Sequence, residues 1–226
     1  MKIGELVGAG RTADVFALEG GRVLRRYRGG EDATGEAAVM AYLAEHGYPV
    51  PAAWPGAEPG DLVMQRLSGP TMVEALAGGA ITAAWAGETL AGLLGRLHAI
   101  PARVSDDPGH RVLHLDLHPE NVVLTAQGPV VIDWATSEEG PPGLDTAMAA
   151  LILAQAALTM PAVAVMARAV LAPLLRHLGD TGGTGGIEAE HLALARTRRA
   201  ANPTLSPDEI GRLDEAVALI AATGRS

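Results

Sequence analysis

The chain has 226 residues, enough for one large domain or two small lobes. Hydrophobic residues make up 48% and charged residues 19%, which excludes a disordered chain because a sizeable core can form. The absence of cysteine excludes disulfide frameworks, thiolate metal sites and thiol nucleophiles. The formal net charge of −9 argues against a nucleic-acid partner bound through a broad basic face, and it would suit a cationic small substrate.

Residues 1–67 are predicted to form a meander of short antiparallel strands with one helix. Two strands flank a glycine corner at Gly8–Gly10, and Glu19–Gly21 marks the next tight turn. The helix is expected to have Thr34 as its N-cap and to stop at Gly47.

Residues 68–226 are predicted to form a second, mainly helical lobe, after a turn-rich boundary at Gln65–Pro70. Within it, Asn121–Leu124 and Val130–Ile132 are expected to pair as a hairpin. The glycine-rich segment 181–186 is typical of a flexible linker. This lobe carries most of the negative charge, with 10 basic and 17 acidic residues against 7 and 9 in the first.

The uncharged stretch 146–167 is the only candidate membrane segment in the sequence. It is rich in alanine and is interrupted by Pro161, so we expect two buried helices broken near that proline. The N-terminal residues show no apolar segment of signal-peptide length. We therefore expect no membrane partner and a cytoplasmic location.

The strongest chemical motif is the segment His114–Asn121, followed twelve residues later by Asp133. The predicted hairpin would bring Asn121 and Asp133 to a common point, where an amide oxygen and a carboxylate are ligands suited to Mg²⁺. The nearby Asp116 could accept a proton from an attacking hydroxyl. Phosphoryl transfer from a nucleotide needs this combination of groups.

Two further features in the first lobe fit a phosphate ligand. Gly8 and Gly10 would let backbone amides approach phosphate oxygens with no Cβ in the way, although a glycine pattern alone is weak. A Walker A loop is excluded because no Gly-Lys-Ser/Thr is present. On a following strand Arg25 could hold phosphates, with Glu36 of the helix fixing its position.

With these motifs the chain resembles the aminoglycoside phosphotransferase and choline kinase family, which is similar in fold to protein kinases. The matching segments cover roughly residues 4–150 and include GAGRTADVF, RVLRRY, LVMQRLSG, HLDLHPENVVL and VVIDWA. The resemblance implies an α+β, two-lobed protein-kinase-like fold with a small antiparallel-sheet lobe. It also implies a transferase that moves the γ-phosphoryl group of ATP or GTP to a hydroxyl of a small molecule.

The resemblance also implies a role for each matching residue. Asp116 would be the catalytic carboxylate, and Asn121 and Asp133 would hold Mg²⁺. The corner from Gly8 through Gly10 to Ala13 would cover the triphosphate. The remaining nucleotide contacts would be Arg25 in place of the family's lysine, Glu36 as its ion-pair partner, Met64 behind the purine, and backbone groups of Gln65 and Leu67 at the base.

Two alternatives are open at this point. Arg25 instead of lysine, and Ala13 instead of the third glycine, also suit a catalytically weak or inactive nucleotide-binding member of the fold. The second alternative is a metal-dependent hydrolase built on His114, Asp116 and His118. Asp145 is expected to act as a helix cap or loop anchor rather than as a catalyst.

Overall fold

The computed structural model describes residues 2–10, 12–180 and 187–224. By its internal contacts the chain forms two compact units. The first consists of the residues up to Gly69 together with Val123–Ser137, and the second of Pro70–Val122 together with the residues from Glu138 onward. The sequence predicts a single boundary after Leu67, whereas residues 123–137 pack with the first unit. The predicted linker 181–186 and the residue Arg11 of the glycine corner lie outside the described residues.

The first unit is built on a five-stranded antiparallel sheet. The strand order is β1-β2-β3-β5-β4, so β3 lies in the middle. Leu18, Leu24 and Val63 form an apolar cluster in this sheet, with Phe16 packed against it. The elements are β1 (Leu6–Ala9), β2 (Ala13–Leu18), β3 (Arg22–Tyr27), α1 (Thr34–Glu45), β4 (Ala53–Pro55), β5 (Asp61–Gln65), and the hairpin β7 (Val122–Thr125) and β8 (Gly128–Val131).

The second unit is mainly helical. Helix α4 is buried along most of its length and packs against α5, α6 and α8, while α3 packs against α5. The close α3–α5 contact requires glycine at position 87, since a Cβ there would lie 2.6 Å from the Leu174 nitrogen. The elements are α2 (Met72–Ala77), α3 (Ala83–Leu97), β6 (Arg111–Leu113), a 3-10 helix (Pro119–Asn121), β9 (Glu138–Gly140), α4 (Pro142–Thr159), α5 (Ala164–Asp180), α6 (Ala189–Ala200), α7 (Pro207–Gly211) and α8 (Leu213–Thr223).

The structure confirms the predicted break near Pro161, because α4 ends at Thr159 and α5 begins at Ala164. Among the described residues, α4 is the one helix long and apolar enough to cross a membrane by length and composition. The core helix of a globular protein meets the same test, and 83% of α4 is buried within the protein.

Two local predictions differ from the structure. Thr34 is the first residue of α1 and Ala33 is its N-cap, and the Asp32 side chain accepts the Thr34 N–H at 2.8 Å at this end of the helix. Asn121 lies in the 3-10 helix and not in the strand, because Pro119 begins a turn of 3-10 helix just before β7.

Candidate active site

The glycine corner joins β1 to β2. The Gly10 N–H donates to the Ala13 carbonyl at 2.9 Å. Neither Gly8 nor Gly10 has a positive φ, and a Cβ at Gly8 would meet the Val15 side chain only at 3.7 Å. Neither the backbone nor the packing of the described residues therefore requires glycine at position 8. Ala13 is a buried strand residue without a positive φ, so its Cβ is compatible with the corner.

Arg25 is the centre of a buried charge network in the first unit. Its Nη1 donates to Glu36 Oε1 at 3.0 Å, and its Nη2 donates to Asp133 Oδ1 at 2.8 Å. The Arg25 side chain is 10% exposed and that of Glu36 is 4% exposed. The structure thus brings together three residues that the sequence singles out at positions 25, 36 and 133.

The other hydrogen bonds of the network come from Tyr27 and Trp134. The Tyr27 hydroxyl donates to Glu36 Oε2 at 2.6 Å, and the Trp134 backbone N–H donates to Glu36 Oε1 at 3.2 Å. Burial raises the pKa of Glu36, and the Arg25 guanidinium and the Tyr27 hydroxyl offset this only in part. For Arg25, burial lowers the pKa, but the carboxylates of Asp133 and Glu36 outweigh burial and raise it, so the guanidinium stays charged.

The segment after β8 is held in an unusual conformation. Asp133 has a φ of 65°, in the left-handed region that few residues other than glycine adopt. The next residue, Trp134, is fully buried, and its indole N–H donates to the Val131 carbonyl at 3.1 Å. Its ring makes an edge contact with Tyr48 at 5.7 Å between centroids. Trp134 therefore anchors Asp133, a role that the sequence analysis did not identify.

The residues expected near a purine lie at the end of β5. Met64 is half-buried and pairs with Val23 of β3, while Gln65 is exposed and Leu67 is half-buried. The Gln65 N–H already donates to the Ala52 carbonyl at 2.8 Å. A base at this position would therefore meet the carbonyl of Gln65 and not its N–H.

In the second unit, Asp145 holds the loop that carries Asp116. Its carboxylate accepts the backbone N–H groups of His114 at 3.0 Å and Leu115 at 2.7 Å, and it pairs with His98 Nε2 at 3.0 Å. These bonds support Leu115 at a φ of 62°, a conformation that costs a non-glycine residue about 1–2 kcal/mol. Asp145 is thus the loop anchor that the sequence suggests, and it fixes a strained backbone directly before Asp116.

We expect Asp145→Asn to lower the free energy of unfolding by about 3 kcal/mol, because an amide NH₂ would face donors in a fully buried site. Burial raises the pKa of Asp145, but the hydrogen bonds and charges of His98 and His114 hold it below its usual range. The carboxylate therefore contributes its full stabilisation above the pKa of about 3.9 that it has in the unfolded chain. That stabilisation is lost as the pH falls through the lower pKa of Asp145 in the folded protein. Urea unfolding of both proteins at pH 7 and in acid checks this.

The control for this variant is Asp106→Asn, which changes an exposed aspartate of the same unit. We expect it to leave the unfolding midpoint nearly unchanged at every pH. If Asp145→Asn lowers the free energy of unfolding by the same amount in acid as at pH 7, the charge of Asp145 is not what stabilises the loop.

Asp116 is an ionised carboxylate with several polar neighbours. The Asn121 amide donates to the Asp116 carbonyl at 2.9 Å and to its Oδ2 at 3.3 Å. His118 Nε2 lies 3.6 Å from Oδ2, and Arg199 Nη1 lies 3.7 Å from Oδ1. Burial raises the pKa of Asp116, but the adjacent His118 and the charges of Arg199 and His114 outweigh burial and lower it. The side chain is 30% exposed, so this carboxylate can accept a hydrogen bond from a substrate hydroxyl.

The two loop histidines have structural roles. His114 is fully buried, and its Nδ1 accepts the Asp116 N–H at 3.2 Å. His118 caps the 3-10 helix, because its Nδ1 accepts the Glu120 N–H at 3.3 Å. In the described part of the chain, no three His, Cys, Asp or Glu side chains are grouped so as to hold a metal ion. The hydrolase built on His114, Asp116 and His118 therefore has no ligand set.

Arg199 of α6 is a neighbour of Asp116 that the sequence analysis did not identify. Its Nε donates to Gln155 Oε1 of α4 at 2.8 Å, and the Gln155 amide in turn donates to the Glu209 carbonyl at 3.2 Å. The one available sequence signal is Gln155 itself, a polar residue in the middle of a mostly apolar helix. A buried amide needs hydrogen-bond partners, but the sequence does not show which residue supplies them.

Comparisons with known proteins identify the family and the fold of the chain. The family model of the phosphotransferase enzyme family, APH, matches residues 4–111 and 105–181. No curated protein sequence matches the chain.

Solved structures are similar over nearly the whole chain. Aminoglycoside phosphotransferase APH(4)-Ia superposes with a TM-score of 0.62 at 14% identity, covering 99% of this chain and 95% of that one. A choline/ethanolamine kinase family protein from Mesorhizobium loti superposes with a TM-score of 0.55 at 18% identity, covering 100% of this chain and 93% of that one. APH(2″)-IIa in its streptomycin–ATP complex superposes with a TM-score of 0.58 at 12% identity, covering 99% of this chain and 90% of that one. At these identities the likeness shows the fold, which is α+β and protein-kinase-like as predicted.

The resemblance seen in the sequence motifs is thereby confirmed. The family model spans well over half of the 226 residues. The chain belongs to the phosphotransferase enzyme family.

Proposed function

We propose that this protein is a cytoplasmic small-molecule kinase that transfers the γ-phosphoryl group of ATP, or of GTP, to a hydroxyl group of its acceptor. The observation that carries the proposal is the Asp116 loop. A strained Leu115, held by Asp145, precedes an ionised carboxylate that is hydrogen-bonded to Asn121. Strained residues of this kind are concentrated at active sites and ligand-binding sites.

In the proposed reaction Asp116 orients the acceptor hydroxyl and accepts its proton. The acceptor oxygen bonds to the γ-phosphorus as the bond from that phosphorus to the β–γ bridging oxygen breaks, and the nucleoside diphosphate leaves. The Asn121 amide holds the Asp116 backbone and carboxylate in place. Positioning of this kind supplies much of the rate enhancement in phosphoryl transfer.

The donor types at positions 121 and 133 fit Mg²⁺. The amide nitrogen of Asn121 is engaged with Asp116, so its oxygen is the atom that could bind a cation. The Asp133 carboxylate is 41% exposed, although one of its oxygens accepts from Arg25. We propose that each residue supplies an oxygen ligand. When bound, Mg²⁺ would neutralise phosphate charge.

For the nucleotide, we propose that Arg25 binds its phosphates while Glu36 holds the guanidinium. The glycine corner from Gly8 through Gly10 would lie over the triphosphate, and this is supported because the described residues around position 8 leave room for a Cβ. We further propose that Met64 lies behind the purine and that the Gln65 carbonyl and the Leu67 backbone meet the base.

The test is a transfer assay with ATP or GTP, Mg²⁺ and a panel of hydroxylated acids, amines, sugars and nucleosides. We expect formation of nucleoside diphosphate that depends on one class of acceptor, with a phosphorylated product seen by mass spectrometry. Tight nucleotide binding without transfer to any acceptor would contradict the kinase assignment. It would favour the inactive nucleotide-binding alternative that Arg25 suggests.

A further inference from the structure

Arg199 places a positive charge next to the proposed catalytic carboxylate. Its Nη1 lies 3.7 Å from Asp116 Oδ1, which is an ion pair without a direct hydrogen bond at that distance. The Arg199 side chain is 16% exposed and that of Asp116 is 30% exposed. A ligand whose hydroxyl reaches Asp116 therefore meets the guanidinium as well.

The position of Arg199 is fixed by a buried framework. Gln155 is 2% exposed and lies on α4, where an unpaired amide would be costly. Its oxygen accepts Arg199 Nε at 2.8 Å, and its nitrogen donates to the Glu209 carbonyl at 3.2 Å. The guanidinium is thus oriented before any ligand binds, and ordering it on binding costs little further entropy.

Three acidic residues of the second unit that could attract a cation are engaged in other contacts. Glu138 pairs with Arg198 at 2.6 Å, and Asp214 pairs with Arg196 at 2.8 Å. Glu139 accepts the backbone N–H groups of residues 103–105. The net negative charge of the lobe therefore does not predict the charge of the ligand that binds beside Asp116. Solvent and salt screen distant charges, whereas the adjacent guanidinium acts on the ligand directly.

We propose that Arg199 binds the acceptor, and that the acceptor is a hydroxyl compound carrying a carboxylate or phosphate group. The inference rests on the proposed function, and it replaces the cationic acceptor that the overall charge favours. A guanidinium attracts either anion and forms charge-assisted hydrogen bonds with it, whereas a cationic group beside it would be repelled. Asp116 then receives the hydroxyl of the acceptor and Arg199 its anionic group.

The test measures binding of a size-matched three-carbon series that differs in charge, the anion glycerate, neutral glycerol and the cation serinol, together with glycerol 3-phosphate and larger hydroxylated acids and amines. Ligand-observed NMR in the presence of ADP and Mg²⁺ reports binding without turnover. We expect the anionic members to bind best to the wild-type protein. We expect Arg199→Gln to weaken their binding about tenfold to a hundredfold, and Arg199→Lys to retain part of it because the charge remains.

The matched control is Arg198→Gln, which removes the neighbouring arginine of the same helix, paired with Glu138. It should bind the anionic members like the wild type. The inference is overturned if the anionic members bind no better than the amines, or if folded Arg199→Gln binds as the wild type does. Weaker ATP binding in Arg199→Gln with unchanged acceptor binding would place Arg199 on the donor instead and also overturn it.

The transfer assay separates this inference from the proposed function. Anions that bind through Arg199 but are never phosphorylated would contradict the kinase and leave the anion site standing. Phosphorylation confined to cationic acceptors would support the kinase and refute the anion site.

Discussion

Asp116→Asn is expected to lower the rate of phosphoryl transfer about 10²- to 10⁴-fold while ATP binding stays close to that of the wild type. Asparagine has the size of aspartate, but it has no negative charge and accepts no proton at neutral pH. The Asn121 bond to the backbone carbonyl at position 116 does not depend on that charge, so the loop is expected to keep its shape. Single-turnover transfer and calorimetric titration of a non-hydrolysable ATP analogue check the two halves of this prediction.

The control for Asp116→Asn is Glu120→Gln, which removes an exposed carboxylate from the same loop. Only the backbone of Glu120 bonds to His118, so this variant should transfer phosphate like the wild type. Transfer at the wild-type rate in Asp116→Asn would rule out Asp116 as the catalytic carboxylate. A parallel loss in Glu120→Gln would point to a general effect of loop charge.

The features that could be predicted from the sequence depend on local patterns. The short strands and turn glycines near the N-terminus predicted an antiparallel meander, and β1, β2 and β3 pair in that way. Pro161 predicted the break between α4 and α5, because proline cannot continue a helix. Asp116 and Asn121 stand in one short segment, so their types and spacing already suggested a joint role.

The features that could not be predicted depend on contacts between distant residues. The Arg25–Asp133 bond joins residues 108 positions apart, and the Trp134–Glu36 bond spans 98. No sequence pattern indicates that Leu115 adopts a positive φ, because leucine avoids that region in isolation. The contact of Arg199 with Asp116 depends on how α6 packs against α4, and neither helix reveals this by its own periodicity.

Arg25→Ala is expected to lower the free energy of unfolding by about 3–5 kcal/mol and to abolish detectable ATP binding. The variant leaves Glu36 buried with only the Tyr27 hydroxyl and the Trp134 N–H as partners, and an uncompensated buried charge is strongly destabilising. Arg25→Lys should lower the free energy of unfolding by less, about 1–2 kcal/mol, because lysine keeps the positive charge. Some stability is still lost because one ammonium cannot reproduce the two guanidinium bonds to Glu36 and Asp133. Urea unfolding and nucleotide titration of both variants measure these effects.

A matched surface substitution distinguishes burial from charge alone. Arg28→Ala removes an arginine that pairs with Asp14, but the Arg28 side chain is 48% exposed and that of Asp14 is 28% exposed. Solvent screens such a pair, so its loss should change stability far less than the loss of Arg25. Combining Arg25→Ala with Glu36→Gln should recover part of the stability, because an uncharged amide then replaces the buried carboxylate that lost its partner. Equal losses in Arg25→Ala and Arg28→Ala, or no recovery in the double variant, would show that the buried ion pair does not hold this network together.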